Sequence, residues 1–264
     1  GKDNISFHTI IWPAMLMGYG DLDLPYDVPA NEFLTIPAFR PGTGRNWAVW
    51  LPDYLERYDP DPLRYLLSVG MPETSDADFS WHEFFRRNND ELVATYGNLV
   101  HRVLTFTYRS FDGCVPVPGE LDEQSQVLLG KAESTINSVD KLLYQCHFRE
   151  AIRASMSLAQ DANRYLEEKS PWKVIKRNRQ DSATSLYVAL SVISSLRTLL
   201  YPFLPFSSQR LHALLGFEGS VEAGGWRLCH LPPGQRLLPP EPLFTKLEEG
   251  IVGEESSRLG SALS

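Results

Sequence analysis

A tryptophan in a basic loop is the feature of this sequence best suited to hold an unpaired nucleic-acid base. Trp172 follows Pro171 within residues 169–179, KSPWKVIKRNR, where five of the eleven residues are basic. An exposed aromatic ring can stack on a base, and neighbouring cations can contact phosphates. The whole chain has a net charge of −8, so this positive charge is local. The alternative is that Trp172 turns inward and fills the core.

A second candidate set lies on a long helix predicted for residues 81–113. This stretch has no proline, and after Phe85 and a seven-residue gap its apolar residues recur at alternating four- and three-residue steps: Leu92, Tyr96, Leu99, Val103 and Phe106. One flank of the stripe is polar and contains Asn98, Arg102, Thr105 and Arg109. Such a flank can face a partner, or it can be an ordinary solvated face of a bundle helix.

The N-terminal residues contain a third candidate set. His8 and Trp12 stand four apart in a predicted short helix, where an imidazole and an indole could line a small-molecule pocket. The alternative is an ordinary core tryptophan with a nearby histidine. Residues 31–36, NEFLTI, predict a short strand, and the following PAFRPGTGRN predicts a loop. This loop could hold phosphate, but its spacing matches no P-loop.

Four long antiparallel helices are predicted to position these residues. Their apolar stripes cover residues 81–113, 121–143, 148–168 and 182–200, which indicates a helical bundle. Shorter helices are predicted at 52–58, 62–69 and 207–215, with a solvated acidic connector at 73–78. From residue 216 onward the chain is rich in Gly and Pro, and residues 250–264 are expected to fray.

Composition excludes several classes of protein. With 43% hydrophobic and 22% charged residues, the chain is typical of a soluble globular protein. The sequence contains no run of about 18 uninterrupted apolar residues, the length that would predict a membrane span. We therefore expect no membrane partner and a cytoplasmic location. Cys114, Cys146 and Cys229 form no CxxC pair, so no disulfide framework or thiolate metal site is predicted. The negative net charge argues against non-specific coating of nucleic acid.

Several motifs together resemble one known family. In order along the chain they are GKDNISFHTIIWPAML, RNWAVW, DPDPLRYLL, YGNLVHRVL and SPWKVIK. Over residues 1 to about 248 the sequence is similar to the C-terminal half of methionyl-tRNA synthetase, a class I enzyme. The resemblance implies a mostly α fold, in which a partial Rossmann-type α/β remnant of the catalytic domain precedes an anticodon-binding helical bundle.

The resemblance also implies a domain organisation. Residues 1–50 would be the catalytic-domain remnant, 51–80 a stem-contact linker, 81–215 the anticodon-binding bundle and 216–264 a C-terminal extension that packs on the bundle and has a frayed end.

Functional roles follow from the same resemblance, residue by residue. Asn98, Arg102, Pro171 and Trp172 match positions at which the family binds the anticodon. The cations that follow in the basic loop, Lys173, Lys176 and Arg177, are expected to contact the tRNA backbone. Asp3 matches a residue that contacts the ATP ribose, and His8 and Trp12 match residues near the methionine pocket.

The sequence departs from the family pattern at its ATP-handling parts. The family's lysine-rich KMSKS loop aligns here with Arg40, Pro41, Gly42, Thr43 and Gly44; Arg40 keeps one charge, and Thr43 stands where the second lysine should be. The HIGH signature, the other methionine-pocket residues and the zinc-binding insertion are absent from these 264 residues. ATP and zinc are thus expected only in an intact synthetase, with no cofactor or metal in this chain alone. We expect no methionine activation by it, because positioned cations stabilise transferring phosphates.

Three functions remain open at this stage. The first is binding of the tRNA(Met) anticodon arm by a C-terminal portion or truncated paralog of the synthetase. The second is one half of a split or trimmed enzyme that attaches methionine to tRNA(Met) using ATP, with an N-terminal Rossmann half as partner. The third is a repurposed RNA- or protein-binding module. Self-association through residues 1–50 is also possible, because incomplete sheets leave strand edges unpaired.

Overall fold

The computed structural model of the protein describes residues 1–36, 48–228 and 231–259. The degenerate KMSKS-type loop predicted at Arg40 to Gly44 lies outside the described residues, as does Cys229.

The N-terminal part is a short helical stretch followed by a strand. A 3-10 turn, Lys2–Asn4, and a π turn, Phe7–Ile11, lead into helix α1, Trp12–Tyr19. Strand β1 is Leu34–Thr35, within the strand predicted for residues 31–36. It pairs in parallel with β2, Ala77–Asp78.

The connector predicted at residues 73–78 is largely exposed, as expected, but its last two residues form strand β2. The Asp76 carboxylate accepts hydrogen bonds from the Phe33 backbone N–H at 2.9 Å and from Lys2 Nζ at 2.8 Å. Lys2 also pairs with Glu32 at 2.7 Å. These acidic groups join the N-terminal residues to the two strands. A local sequence pattern does not show whether an acidic side chain faces only solvent or also pairs with a distant residue.

Helices α2 and α3 surround a small aromatic core. They span Leu51–Leu55 and Pro60–Val69, and each has a proline in its first turn, where no N–H is needed. The core joins them to the next helix through edge-on ring contacts such as Trp81 with Phe84, whose centroids are 5.4 Å apart. Its buried members are Tyr54, Leu63, Leu66, Phe79, Trp81, Phe84 and Ile251.

A C-terminal helix closes this aromatic core. Helix α12, Gly250–Arg258, contributes Ile251 to the core, and the buried Glu255 accepts hydrogen bonds from Arg57 at 3.0 Å and from the Tyr58 hydroxyl at 2.9 Å. The expected fraying thus does not hold for residues 250–258. The apolar contact of Ile251 and the ion pair of Glu255 stabilise this helix, although most of its residues are small and polar.

The predicted long helix forms, but it contains a long π segment. Helix α4, Trp81–Arg86, continues through the π segment Arg87–Gly97 into α5, Asn98–Ser110. The i→i+5 hydrogen bonds widen each turn and shift the helical phase. As a result Phe84 is buried, while Phe85, which the regular period placed on the stripe, is only partly buried.

The remaining helices complete the predicted bundle. The main core lies between the π segment, α5, α6, α7 and α9, with apolar side chains such as Leu158, Ile193 and Leu196 fully buried. The helix bounds are α6 Glu123–Tyr144, α7 Phe148–Lys169, α8 Pro171–Val174, α9 Arg179–Leu200, α10 Pro205–Leu214 and α11 Val221–Gly224.

Helix α9 is the central element of the bundle. Among the described residues it is the one helix long and apolar enough to cross a membrane, yet 89% of its most apolar window is buried within the protein. Its apolar surface is therefore used for packing against the neighbouring helices.

Candidate nucleic-acid interface

The structure brings together three of the residues predicted to bind a nucleic-acid base. Asn98 and Arg102 lie one turn apart on α5, and Asn98 is exposed. The guanidinium carbon of Arg102 lies over the Trp172 ring, 4.7 Å from its centroid. A cation–π contact of this kind orients both groups. Helix α5 and the loop after α7 therefore meet at one end of the bundle.

Trp172 is held in place by a sharp reversal of the chain. Helix α7 ends at Ser170, whose backbone is left-handed with φ of 42°, and Pro171 then begins the short helix α8. The buried Pro171 carbonyl accepts a hydrogen bond from Ser182 Oγ at 3.0 Å, which ties α8 to α9. Trp172 is half-buried and packs against the bundle core. It is therefore neither a free platform nor a fully buried core residue.

Arg102 has an incomplete set of partners. Its Nη2 donates to Asn163 Oδ1 on α7 at 3.3 Å, while its Nε is buried without a hydrogen-bond partner. Burial lowers the pKa of Arg102 from its ordinary value, and the nearby charge of Glu167 acts in the opposite direction. A partly buried guanidinium with an incomplete set of acceptors gains from an additional one, such as a base edge or a phosphate oxygen.

Asn163 links Arg102 to the π segment. Its Oδ1 accepts from Arg102, and its Nδ2 donates to the Thr95 carbonyl at 3.0 Å. Because both amide groups are engaged, the orientation of the Asn163 side chain is fixed. Sequence reasoning missed this residue. The signal that could have found it is the polar spacing of Arg149, Arg153, Gln160 and Asn163 along α7.

Two of the five cations in the basic loop pair within the protein, and the other three make no such contact with the described residues. Lys169 pairs with Asp122, and Arg179 donates to the Ser110 carbonyl at 2.6 Å while stacking on Phe111. The other three cations, Lys173, Lys176 and Arg177, are exposed. These are the ones predicted to contact a nucleic-acid backbone, and they lie immediately after Trp172.

The N-terminal candidates lie on an open surface. The His8 and Trp12 rings contact each other edge-on with centroids 6.4 Å apart, and 47% of Trp12 is exposed. Beside them is an open pocket of about 480 Å³ lined by Phe7, His8, Ile11, Trp12 and Met15. Asp3 is exposed in the preceding 3-10 turn and does not line this pocket. The residues that the structure describes therefore do not bury Trp12 in a core.

No cluster resembling a metal centre exists in the part of the chain that the structure describes. Groups of three or more His, Cys, Asp or Glu side chains close enough to bind a metal ion are absent there. Cys114 and Cys146 are free thiols.

Two models of known protein families match consecutive parts of the chain and together cover nearly all of it. The family model described as tRNA synthetases class I (M) matches residues 1–104. The model of the anticodon-binding domain of methionyl-tRNA ligase matches residues 115–262. The fold is therefore that of a class I tRNA synthetase with a helical anticodon-binding domain. Within that class, the chain is a member of the methionyl-tRNA synthetase family.

The relatives are longer than this chain. A methionine–tRNA ligase of Dehalococcoides mccartyi strain ATCC BAA-2266 / KCTC 15142 / 195 is 60% identical over 98% of this chain and 47% of its own length. One from Roseiflexus castenholzii is 49% identical over 98% of this chain and 48% of its own length. The chain thus spans about half the length of the curated relatives it matches, in agreement with the predicted C-terminal half.

Solved structures show the same fold. Mycobacterium tuberculosis methionyl-tRNA synthetase in its free state matches with a TM-score of 0.82 and 30% identity, over 94% of this chain and 49% of that one. The same enzyme bound by methionyl-adenylate matches with a TM-score of 0.83 and 30% identity, over 93% and 49% of the two chains. The predicted family and fold class are confirmed.

Proposed function

We propose that this chain binds the anticodon arm of tRNA(Met). In this proposal Trp172, preceded by Pro171, stacks on an unpaired base. Asn98 donates to or accepts from base edges, and Arg102 donates to them. Lys173, Lys176 and Arg177 contact phosphates and position the RNA. The observation that carries the proposal is the 4.7 Å contact of Arg102 with Trp172, which places a stacking ring beside a guanidinium whose hydrogen bonds are incomplete.

The domain organisation and location are part of the same proposal. Residues 1–50 would be a remnant of the catalytic domain, 51–80 a stem-contact linker, 81–215 the RNA-binding bundle and 216–264 an extension packed on it. Because the proposed partner is tRNA, we also propose that the protein is located in the cytoplasm.

The partner is tested by recovery of RNA from cells. The tagged chain is purified from lysate and the bound RNA is sequenced, with Trp172→Ala as the matched variant. We expect enrichment of tRNAs bearing CAU that is reduced in the variant. Equal recovery of all tRNAs, or recovery of protein without RNA, would favour the repurposed module instead.

We further propose that these 264 residues do not activate methionine by themselves. Adenylate formation needs an enclosed pocket and positioned cations, whereas His8 and Trp12 lie on an open surface. The substituted loop from Arg40 to Gly44 would weaken phosphate binding further. Methionine-dependent exchange of pyrophosphate into ATP measures this step, and activity of the purified chain above background would contradict the proposal.

One observation favours the alternative of a split or trimmed synthetase. Large apolar side chains are exposed along residues 5–26, among them Ile10 at 66%, Met15 at 66% and Tyr19 at 83%. An exposed apolar face of this extent suits a partner that supplies the rest of a catalytic domain and its ATP and zinc sites. Aminoacylation of tRNA(Met) after mixing with a matching N-terminal half would support this alternative.

A further inference from the structure

A polar cavity of about 500 Å³ lies between α3, the π segment and α7. Three arginines line it, Arg87, Arg149 and Arg153, against one carboxylate, Glu91. A positive excess at one place is notable in a chain whose net charge is −8. This charge distribution indicates an anionic ligand.

The charges of Arg87 and Glu91 are already used within the protein. Glu91 accepts hydrogen bonds from the Tyr65 hydroxyl at 2.6 Å and from Arg87 at 3.1 Å, and Arg87 also pairs with Glu83 at 3.2 Å. Arg86 reaches the same Glu91 carboxylate at 3.4 Å. This network is therefore internally satisfied and contributes little attraction for a ligand.

Arg149 and Arg153 are different. Their guanidinium groups make no hydrogen bond or ion pair with any residue that the structure describes. The Arg149 backbone N–H donates to Glu73 Oε1 at 2.8 Å, which fixes the first turn of α7 but leaves the side chain available. The two arginines are one helical turn apart, so both forks face the cavity together.

The cavity adjoins the proposed base-binding site. Thr95 and Gln160 line it at one end, and the Thr95 carbonyl bonds to Asn163, the partner of Arg102. Arg153 precedes Asn163 by ten residues on α7, about 15 Å along a helix. An RNA stem whose loop lies at Trp172 and which extends toward α3 would bring its backbone past these arginines.

We propose that Arg149 and Arg153 bind backbone phosphates of the RNA stem whose loop is read at Trp172, a role that rests on the proposed function. Guanidinium forks match phosphate oxygens in geometry and charge. Contacts to phosphate position an RNA but carry no sequence information. Arg149 and Arg153 thus add affinity without adding preference for an anticodon.

The test is the salt dependence of tRNA binding by the whole chain. Dissociation constants are measured from about 50 to 200 mM salt for full-length tRNA bearing CAU and for one with an unrelated anticodon. The Arg149→Gln/Arg153→Gln variant is compared with Lys141→Gln/Arg164→Gln, which removes two cations that do not line the cavity. A third variant, Arg149→Lys/Arg153→Lys, retains the charge.

The arginine-to-glutamine variant is expected to bind both tRNAs about three- to tenfold more weakly at low salt. Its slope of log affinity against log salt should be less steep by about 1.5, the loss expected for two phosphate contacts. The lysine variant should keep most of the slope, and the control variant all of it. Equal thermal unfolding midpoints establish that the fold is retained.

Failure of this inference is distinguishable from failure of the proposed function. An unchanged slope and affinity for Arg149→Gln/Arg153→Gln, while Trp172→Ala still loses its CAU preference, would overturn the arginine site alone. A weakening confined to CAU would also overturn it. A reduced slope in a protein that never prefers CAU would support the phosphate site and contradict the proposed function.

Discussion

Arg102 makes fewer hydrogen bonds than its guanidinium can form, which suits the proposed binding of an external ligand. It is held from α7 by Asn163 and covered on one face by Trp172, while its Nε has no partner. The free energy of leaving that group unsatisfied is about 1–3 kcal/mol. Binding of an acceptor would recover part of it, which makes the arrangement costly for folding and favourable for recognition.

Asn163 is predicted to position Arg102 without contacting RNA itself. Asn163→Ala removes the acceptor for Arg102 and the bond to Thr95, and we expect about three- to tenfold weaker binding of tRNA bearing CAU, as for the loss of about one hydrogen bond. Asn137→Ala, on the exposed side of α6, is the matched control. Titration of labelled tRNA measures the effect; equal affinities for the two variants would contradict this role.

His212 is predicted to make stability depend on pH. It is buried, its Nδ1 lies 2.9 Å from Arg197 Nη1, and its Nε2 lies 3.1 Å from the Glu218 carbonyl. This geometry assigns the proton to Nε2, so that Nδ1 accepts from the arginine. Burial, and then the charge of Arg197, lower the pKa of His212 from its ordinary value, with the Glu218 carbonyl acting against them.

Because the folded pKa of His212 is below the unfolded one, the unfolded chain binds the proton first as pH falls. The stabilisation is fully present above the unfolded pKa of about 6.5 and is lost as pH decreases through the folded pKa. Urea unfolding between about pH 7.5 and 5.5 measures it. His212→Gln should lose less stability over this range than the wild type; parallel curves would contradict the assignment.

The π segment is the element that sets the register of the long helix. Its hydrogen-bond pattern places Asn88 and Asn89 against an irregular C-terminal segment, where they donate to the Thr245 and Leu247 carbonyls at 3.0 and 2.9 Å. It ends at Gly97, immediately before Asn98. The orientation of the polar flank of α5 therefore depends on where the π segment ends.

Gly97 is predicted to be essential to this packing. A Cβ there would lie 2.8 Å from the Leu92 carbonyl oxygen and 3.2 Å from Phe244 Cδ2, so Gly97→Ala should lower the free energy of unfolding by about 1–3 kcal/mol. Gly130→Ala, at an exposed position of α6 with open space around it, should instead stabilise by about 0.5–1 kcal/mol. Denaturant unfolding compares them, and stabilisation by both would show that the π segment tolerates a side chain.

At the scale of the whole molecule, the spacing of apolar residues predicted the helices that bury one regular face. The four long helices and the polar flank of α5 follow from residues spaced three and four apart, and the structure confirms the bundle. The π segment could not be predicted, because the same residues fit an α-helical period nearly as well. The missed strand and the C-terminal helix depend on long-range partners, Asp76 with Lys2 and Glu255 with Arg57, which a local pattern does not contain.

The candidate site was predictable to a similar degree. The family resemblance predicted Asn98, Arg102 and Trp172 as base-binding residues, but their proximity requires the left-handed Ser170 that reverses the chain after α7. Asn163 and the two cavity arginines lie on a face of α7 whose partner helix is not specified by spacing. The sequence thus identifies candidate binding residues, and the tertiary fold brings their side chains together.

Binding of tRNA by Trp172→Ala tests the central claim most directly. The matched control is Trp226→Ala, a second half-buried tryptophan packed on the core. It lies near the opposite end of α9, because Pro171 bonds to Ser182 and Arg227 to Thr198, 16 residues further along. Dissociation constants are measured for tRNA bearing CAU and for the same tRNA with an unrelated anticodon.

Loss of one stacked base costs about 1–3 kcal/mol, so Trp172→Ala should weaken CAU binding roughly 5- to 150-fold and abolish the preference for CAU. Trp226→Ala should retain both affinity and preference. A wild-type chain that binds the two anticodons equally, or a Trp172→Ala variant that still prefers CAU, would contradict an anticodon-reading site at this end of the bundle.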